Sequence, residues 1–266
     1  MAKIVVISNQ KGGVGKTTTA INLSASLAQL GQRVLLIDLD PQANSTSGLG
    51  VSIEESTICL YEVLLGECGA REAIRSTEVP GLDLITSAPR LFGADIELVA
   101  MEKRETILKE RLAPIASEYG YILIDSPPSL GLLTINGLTA AQSVLIPMQC
   151  EYYALEGLSQ LLQTIRMVQE SLNPVLRVEG ILLTMYDGRL MLSQQVAEEA
   201  RRFFGDRVFQ TIIPRNVRLG EAPSFGKPAV LYDPNCTGAI SYMNLAKELT
   251  SHDTEGAWTR TESAYS

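Results

Sequence analysis

Apolar residues along the chain fall into short continuous runs that alternate with longer segments of helical periodicity. The runs are rich in branched side chains, which is typical of strands buried on both faces of a sheet. These predicted strands are residues 3–7, 33–38, 82–86, 121–125, 144–148, 180–184 and 209–213. The predicted helices are residues 16–30, 96–117 with a bend near Pro114, 155–171, 190–204 and 238–249.

The alternation of strand and helix determines the expected fold class. A strand, a helix and a further strand within a short stretch form a βαβ unit with parallel strands and a right-handed crossover. We therefore expect an α/β fold of the doubly wound kind, with a mostly parallel sheet and helices on both faces. Ligands of such folds bind at the carboxyl ends of the strands. The chain of 266 residues predicts a single domain over 1–250 and a polar tail over 251–266.

The histidine and cysteine content excludes several kinds of active site. The only histidine is His252, so a Ser-His-Asp triad, a Cys-His pair or a histidine-rich zinc site is not expected. The cysteines are scattered and form no C-x-x-C pair, which predicts reduced, buried thiols. They are Cys59, Cys68, Cys150 and Cys236.

The ends of the chain and its charge bear on compartment and partners. The chain begins without the basic and apolar regions of a signal peptide, and no window approaches the ~20 apolar residues of a membrane span, so a cytoplasmic protein is expected. The net charge of −8 argues against binding nucleic acid through overall charge. DNA binding would need a local basic patch, and it would be sensitive to salt.

A glycine-rich loop at residues 11–17 lies between the first predicted strand and the first predicted helix. Backbone N–H groups in such a loop and at the helix N-terminus cradle phosphates. In this arrangement Lys16 neutralises the β- and γ-phosphates, and the Thr17 hydroxyl binds Mg²⁺. The loop departs from G-x-x-x-x-G-K-[ST] because Gln10 replaces the first glycine and Lys11 is an additional lysine. Lys11 could reach a nucleotide held by another subunit, or it could be a solvated surface lysine.

The loop K-G-G-V-G-K-T-T resembles the deviant Walker A loop of the ParA/MinD group of ATPases. Four further segments are similar to ParA/Soj sequences, and together they extend over most of residues 2–250. These are IDLDPQANSTSGLG at 37–50, YILIDSPP at 121–128, IPMQCEYYALEG at 146–157 and IPRNVRLGEAPSFGK at 213–227. The resemblance is greatest to the Soj-like chromosomal type, which lacks an N-terminal helix-turn-helix extension.

The resemblance implies a P-loop ATPase that partitions a chromosome or plasmid. Such a protein binds ATP and Mg²⁺, closes into a sandwich homodimer and binds double-stranded DNA non-specifically. A ParB-type partner stimulates its weak hydrolysis and releases it from the nucleoid. No membrane partner is implied. The phosphate-binding residues by resemblance are Lys11, Gly12, Gly13, Val14, Gly15, Lys16, Thr17 and Thr18.

Within the same resemblance, single residues receive roles. Lys11 crosses to the partner's ATP, and Gly12 is where the two loops approach closely. Asp38 lies near the metal and Asp40 orients or deprotonates the attacking water, although either could be a capping or turn aspartate before Pro41. From its place at the end of a strand, Asp125 is expected to hold Mg²⁺ through water. The segment expected to contact adenine is Pro214, Arg215 and Asn216.

Arginines recur in the C-terminal half of the chain, and by resemblance Arg189 and Arg218 are expected to contact DNA. Acidic residues such as Glu198 and Asp206 lie among the arginines, so a solvated, ion-paired helix face is the alternative interpretation. Two subunits closed around ATP would join their basic patches into one surface.

Four other classes of protein share the loop. A MinD-like membrane-positioning ATPase would need a C-terminal amphipathic helix, and residues 251–266 lack an apolar stripe. A nitrogenase-iron-protein-like donor would need paired cysteines. A bacterial tyrosine kinase would need a tyrosine-rich tail, whereas Tyr265 is alone there. An ATPase that positions cargo other than DNA would share every motif and remains an alternative.

Overall fold

A computed structural model describes residues 2–52, 58–151 and 154–254. Within those ranges the strands form one seven-stranded sheet in the order β3-β4-β2-β5-β1-β6-β7. The strands are β1 (Lys3–Ile7), β2 (Val34–Asp38), β3 (Ile74–Ser76), β4 (Leu82–Ile85), β5 (Tyr121–Asp125), β6 (Ser143–Gln149) and β7 (Arg177–Thr184).

All neighbouring strands are parallel except the edge pair β3 and β4. The predicted mostly parallel sheet is thus confirmed. β5 lies between β1 and β2, with Asp125 beside Ile7 on one side and beside Asp38 on the other. The carboxyl ends of the three central strands therefore meet at one edge of the sheet, where a doubly wound fold binds its ligand.

The helices cover both faces of this sheet, as predicted. They are α1 (Lys16–Gln29), α2 (Asn44–Gly48), α3 (Leu60–Leu65), α4 (Leu91–Glu97), α5 (Ile107–Leu112), α6 (Leu132–Ala140), α7 (Ala154–Ser171), α8 (Met191–Phe204), α9 (Val217–Glu221), α10 (Ala229–Tyr232) and α11 (Thr237–Thr254). Short 3₁₀ turns occupy Ala70–Ala73, Leu98–Ala100, Ala116–Glu118, Gly205–Arg207 and Ala222–Phe225.

The sheet separates two hydrophobic cores, and strand β1 contributes to both because its side chains alternate between faces. Ile4 and Val6 pack into the core that includes residues of α3 to α8. Val5 and Ile7 pack into the core that includes residues of α1, α10 and α11. Burial on both faces explains why the central strands are continuous apolar runs in the sequence.

The predicted strand at 209–213 is wrong. Only isolated bridges occur there, between Ile181 and Val208 and between Tyr186 and Pro214. The amides of residues 210 and 211 donate instead to the Glu248 carboxylate of α11, at 2.7 and 2.9 Å. A side chain of the neighbouring helix thus supplies acceptors that a strand partner would otherwise supply.

The predicted helix at 96–117 is also wrong as a single element. α4 begins and ends earlier, and Lys103 adopts a left-handed conformation with φ of 53° that no α-helix interior accommodates. Asn136 of α6 stabilises the interruption, because its amide donates to the Arg104 carbonyl and its carbonyl oxygen accepts from the Leu108 N–H. The sequence did not predict α2, α3, α6, α9, α10 or β3.

The C-terminal helix extends further than predicted, to Thr254. Residues 255–266 of the predicted tail lie outside the described residues, as do residues 152–153 of the 146–157 segment, so the domain bounds stay a prediction. No helix in the described ranges has the length and apolar character needed to span a bilayer. All four cysteines are free, with Cys59 and Cys150 buried.

Candidate functional site

The loop between β1 and α1 has the backbone geometry of a phosphate cradle. Gly13 and Gly15 adopt φ of 74° and 91°, a left-handed conformation that other residues rarely adopt. Gly15 precedes α1, and no side chain of the loop caps the helix N-terminus. The first turn of α1 also contains no acidic residue. Its N–H groups and the positive end of the helix dipole therefore face the loop without a competing anion.

Side chains from distant parts of the chain hold the loop in place. The Asn9 amide donates to the Pro147 carbonyl at 2.7 Å, and its carbonyl oxygen accepts from the Lys11 N–H at 3.0 Å. The Thr184 hydroxyl at the end of β7 donates to the Val14 carbonyl at 2.8 Å. Sequence reasoning missed Asn9 and Thr184, since neither belongs to a motif that marks it.

Lys16 is only 7% exposed and points into the loop. Its Nζ donates to the Lys11 carbonyl at 3.2 Å. Burial lowers the pKa of Lys16, while the charges of Asp125 and Asp40 oppose that shift. The ammonium group is therefore fixed at the centre of the cradle, beside the carboxyl ends of β2 and β5.

Lys11 lies on the outer limb of the loop and does not point into the cradle. Its Nζ forms an ion pair with the Glu151 carboxylate at 3.1 Å, and about a third of its side chain, 35%, is exposed. The Gln149 amide donates to the same carboxylate. The two lysines of the loop thus have opposite environments, one buried and one at the surface.

Asp38 and Asp125 are fully buried and adjacent in strand register. The pKa of each is raised, in both cases chiefly because burial disfavours the charged form; the neighbouring Asp125 charge adds to the shift at Asp38. Asp125 Oδ1 is buried and makes no hydrogen bond of ordinary geometry within the described residues. A cation at this position would relieve both the orphaned oxygen and the repulsion between the acids.

Asp40 lies at the mouth of this acidic site and is 7% exposed. Its N–H donates to Asp38 Oδ1 at 3.3 Å, and its Oδ1 accepts from the Gln42 N–H at 2.9 Å. The second of these bonds is the turn interaction expected of an aspartate before Pro41. Asp40 therefore has a turn role in the structure, and its charge also acts on Lys16.

The donor set fits a magnesium ion that is held jointly with phosphate oxygens. The described residues contain no cluster of three or more acidic, histidine or cysteine side chains that would form a complete metal cage. Mg²⁺ commonly takes one or two protein ligands and completes its shell with water and phosphates. Thr17 lies in the first turn of α1, and its hydroxyl lowers the pKa of Asp125, which opposes the effect of burial there.

A pocket opens beside the loop and contains all three residues predicted to contact adenine. Asn216 also caps α9, since its Oδ1 accepts from the Arg218 N–H at 2.8 Å. The Tyr242 hydroxyl of α11 lies 3.1 Å from the Thr19 hydroxyl of α1 and closes the pocket from behind. The lining residues are Gly15, Thr18, Thr184, Met185, Ile213, Pro214, Arg215, Asn216, Leu219, Gly220 and Tyr242.

Arg189 and Arg218 are both at the surface and both form ion pairs. The Arg189 guanidinium is bidentate on Asp187, at 2.9 and 2.7 Å, and lowers the pKa of that carboxyl to about 2. Arg218 pairs with Glu221 at 2.7 Å and with Asp233 at 3.3 Å. The ion-paired surface that the sequence left as an alternative is therefore present at both residues.

Comparison with known proteins identifies the family. The family model described as AAA domain matches residues 2–178. The sporulation initiation inhibitor protein Soj of Bacillus subtilis is 56% identical over 95% of this chain and 100% of its own length. The chromosome partitioning protein ParA of Myxococcus xanthus is 56% identical over 96% of this chain and 90% of its own. The chain belongs to the ParA/Soj family.

Solved structures of similar fold include one with a bound nucleotide and metal. Cobyrinic acid a,c-diamide synthase from Mycobacterium smegmatis, with a bound ATP analogue and magnesium, superposes with a TM-score of 0.85 and 37% identity. The match extends over 97% of this chain and 98% of that one. This ParA/Soj-family protein is a partitioning ATPase that uses ATP and Mg²⁺.

Proposed function

We propose that the protein is an ATP-gated switch that carries out DNA partition, for a chromosome or a plasmid. In this proposal MgATP closes two copies of the chain into a sandwich dimer that binds double-stranded DNA non-specifically. A ParB-type partner stimulates the weak ATP hydrolysis. The dimer then opens and dissociates from the nucleoid into the cytoplasm. The observation that carries the proposal is the position of Lys11, at the surface of the phosphate loop and outside its own cradle.

The residues of the cradle divide the chemistry among them. The loop N–H groups from Gly12 to Thr18 bind the phosphates, and Lys16 neutralises the β- and γ-phosphates from its buried position. Thr17, Asp38 and Asp125 hold Mg²⁺, which when bound neutralises charge on the phosphate oxygens. Pro214, Arg215 and Asn216 bind the adenine end in the adjoining pocket.

Asp40 positions the attacking water and accepts its proton. Its carboxylate lies close enough to act on the charges of Lys16 and Asp125, and Asp40 is the most exposed of the three acids at the ends of β2 and β5. One of its oxygens is held by the Gln42 N–H, which fixes the orientation of the carboxylate. A carboxylate within hydrogen-bond reach of water suits in-line attack on the γ-phosphorus.

Lys11 acts on the nucleotide of the other subunit. In a single chain its ammonium pairs with Glu151 at the surface, and exposed ion pairs of this kind contribute little to stability. If Lys11 exchanges the Glu151 carboxylate for the triphosphate bound to a facing subunit, it therefore gains stronger charge interactions and loses little stability. Hydrolysis shortens the triphosphate and weakens this interaction, so the dimer opens after turnover.

DNA binding arises from Arg189 and Arg218 when two subunits present them on one surface. Their exposed ion pairs leave the guanidinium groups accessible for exchange from carboxylate to DNA phosphate. The net charge of −8 keeps a single subunit weakly bound, whereas doubled phosphate interactions raise the affinity of the dimer.

The test of the proposal is co-sedimentation with random-sequence duplex DNA in MgATP and in MgADP. The Asp40→Ala variant holds the ATP state during the experiment. We expect the protein to sediment with DNA only in MgATP, and added salt to abolish the interaction. Absence of DNA binding in both nucleotides would overturn the DNA-partition proposal and favour an ATPase that positions a membrane or protein cargo, with liposomes the next ligand.

Replacement of Gly12 by valine separates dimer closure from nucleotide binding. A Cβ at Gly12 has no neighbour within 4 Å, and the residue does not need a left-handed conformation. We therefore expect the variant to fold and to bind ADP as the native protein does, and to remain monomeric in MgATP by size-exclusion chromatography. The matched control is Gly157→Val in α7, which inserts the same side chain far along the chain, again with no neighbour within 4 Å and no left-handed conformation. A Gly12→Val protein that dimerises normally would contradict close approach of the two loops.

Charge reversal at Arg189 tests the DNA-binding surface. We expect Arg189→Glu to weaken DNA co-sedimentation at least about tenfold, since the salt-dependent affinity falls with each phosphate that the protein no longer neutralises. ATP-dependent dimerisation should persist. The matched control is Arg71→Glu, because Arg71 is also exposed and also pairs with a carboxylate, that of Glu118. Loss of dimerisation together with DNA binding would mean that Arg189 has a structural role.

A further inference from the structure

Two adjacent hydroxyl residues of the short helix α2 contact the two buried acids of the metal site. The Ser45 hydroxyl donates to Asp125 Oδ2 at 2.8 Å. The Thr46 hydroxyl donates to Asp38 Oδ2 at 2.7 Å, and the Thr46 N–H donates to the same oxygen at 2.8 Å. Both hydroxyl residues are buried, with at most 1% of their surface exposed.

These bonds leave the second oxygen of each acid available. Asp125 Oδ1 has no hydrogen bond of ordinary geometry among the described residues. Asp38 Oδ1 has only the long bond of 3.3 Å from the Asp40 N–H. Each carboxylate is thus held chiefly through Oδ2, so that its rotation is restricted while Oδ1 stays open to a further ligand, and the Thr17 hydroxyl also interacts with Asp125.

The Thr46 hydroxyl is itself oriented by a third group. Thr46 Oγ1 accepts from the Ser87 N–H at 3.0 Å, so its proton is directed to Asp38. Ser87 follows β4, which pairs with β2 in the sheet. The Ser87 N–H thus orients the Thr46 hydroxyl, and the Thr46 hydroxyl in turn fixes the orientation of the Asp38 carboxylate.

The position of α2 is closely constrained at both ends. Ala43, just before the helix, adopts a left-handed conformation with φ of 54°, which an alanine occupies only where the surroundings enforce it. At the other end, a Cβ on Gly48 would lie 2.5 Å from the Ile21 side chain of α1. The helix therefore packs directly against the helix that begins at the phosphate loop, and the two hydroxyls cannot shift freely.

We propose that Ser45 and Thr46 are positioning residues of the magnesium site, which orient Asp125 and Asp38 so that one oxygen of each faces the metal. This inference rests on the proposed function, because it requires that Asp38 and Asp125 hold Mg²⁺. Partners that orient metal-binding groups in this way affect metal affinity although they do not touch the ion.

The test measures how much Mg²⁺ increases the affinity for ADP, from titrations of ADP in MgCl₂ and in EDTA. Thr46→Val keeps the shape of the side chain and removes its hydroxyl, whereas Thr46→Ser keeps the hydroxyl. We expect Thr46→Val and Ser45→Ala each to reduce the Mg²⁺-dependent gain in ADP affinity about tenfold, which is the lower end of the effect of residues that orient metal ligands. Affinity in EDTA should be unchanged in both variants, and Thr46→Ser should retain the native gain.

Asp125→Asn separates failure of this inference from failure of the metal assignment. If Asp125→Asn loses the Mg²⁺-dependent gain while Thr46→Val and Ser45→Ala keep it, the positioning role is wrong and the metal assignment stands. If Asp125→Asn also keeps the gain, the assignment of Asp125 to the metal is wrong, and with it the inference. An equal fall in affinity in EDTA and in MgCl₂ would show that the hydroxyls only support the loop, and would overturn the proposal.

Discussion

Replacement of Asp40 by alanine is expected to leave ATP binding intact and to lower the rate of ATP hydrolysis by at least about 100-fold, the usual contribution of a positioned general base. The loop should keep its shape, because the Ala43 N–H donates to the Asp40 backbone carbonyl and Thr46 holds Asp38. Phosphate release and ATP binding measured on the same preparation would test both parts of this expectation.

Asp40→Asn is the matched control for the turn made by Asp40. The asparagine amide oxygen can still accept from the Gln42 N–H, which in the native protein donates to Asp40 Oδ1 at 2.9 Å. If the carboxylate is needed to take a proton, Asp40→Asn will be as inactive as Asp40→Ala. Recovery of hydrolysis in Asp40→Asn would instead assign Asp40 to the turn, and normal turnover by Asp40→Ala would refute the catalytic role.

Replacement of Lys16 by alanine is expected to reduce the affinity for both ATP and ADP by more than about 100-fold. Charge-assisted hydrogen bonds to phosphate are strong, and they are stronger still where water is excluded, as it is around this buried ammonium. Lys11→Ala removes the same charge from the exposed limb of the loop and is expected to preserve ADP binding by the monomer. Equilibrium titration of a fluorescent ADP derivative would compare the two variants.

The difference in ADP affinity between Lys16→Ala and Lys11→Ala decides which lysine binds the nucleotide of its own subunit. Native affinity in Lys16→Ala would contradict the assignment of that residue to the β- and γ-phosphates. Loss of ADP binding in Lys11→Ala would mean that Lys11 serves its own nucleotide, and the proposed interaction across the dimer would then lose its main support. Circular dichroism of both variants would exclude unfolding as the cause.

The central part of the fold was predictable because its signals are local. Strands at 3–7 and 121–125 have the predicted bounds, since a run of apolar residues buried on both faces is visible in the sequence itself. The elements that were missed depend on distant partners. Gly137 weakens the helical pattern of α6, but there it allows the helix to pack closely on Leu39 and Val6. The segment at 209–213 looks like a strand, yet the amides of residues 210 and 211 bind Glu248 of another element.

The candidate site was predictable to a similar extent and for the same reason. The phosphate loop and the acids at 38, 40 and 125 lie at or just after the carboxyl ends of strands, so their convergence follows from a parallel sheet. Ser45, Thr46, Thr184 and Tyr242 contribute to the site through pairings between elements far apart in the chain. Strand order and register determine those pairings, and no local pattern of residues reports them.

The position of β1 within the sheet has a consequence for biosynthesis. The phosphate loop leaves the ribosome well before the strands that flank it, because β1 lies between β5 and β6 and pairs with residues 121–125 and 143–145. Behind the loop, Thr19 contacts Tyr242 of α11. Long-range pairing of this kind delays folding until distant segments exist. The nucleotide pocket is therefore completed only when α11 has been made, so a chain truncated before α11 contains the entire loop motif yet lacks a wall of the pocket.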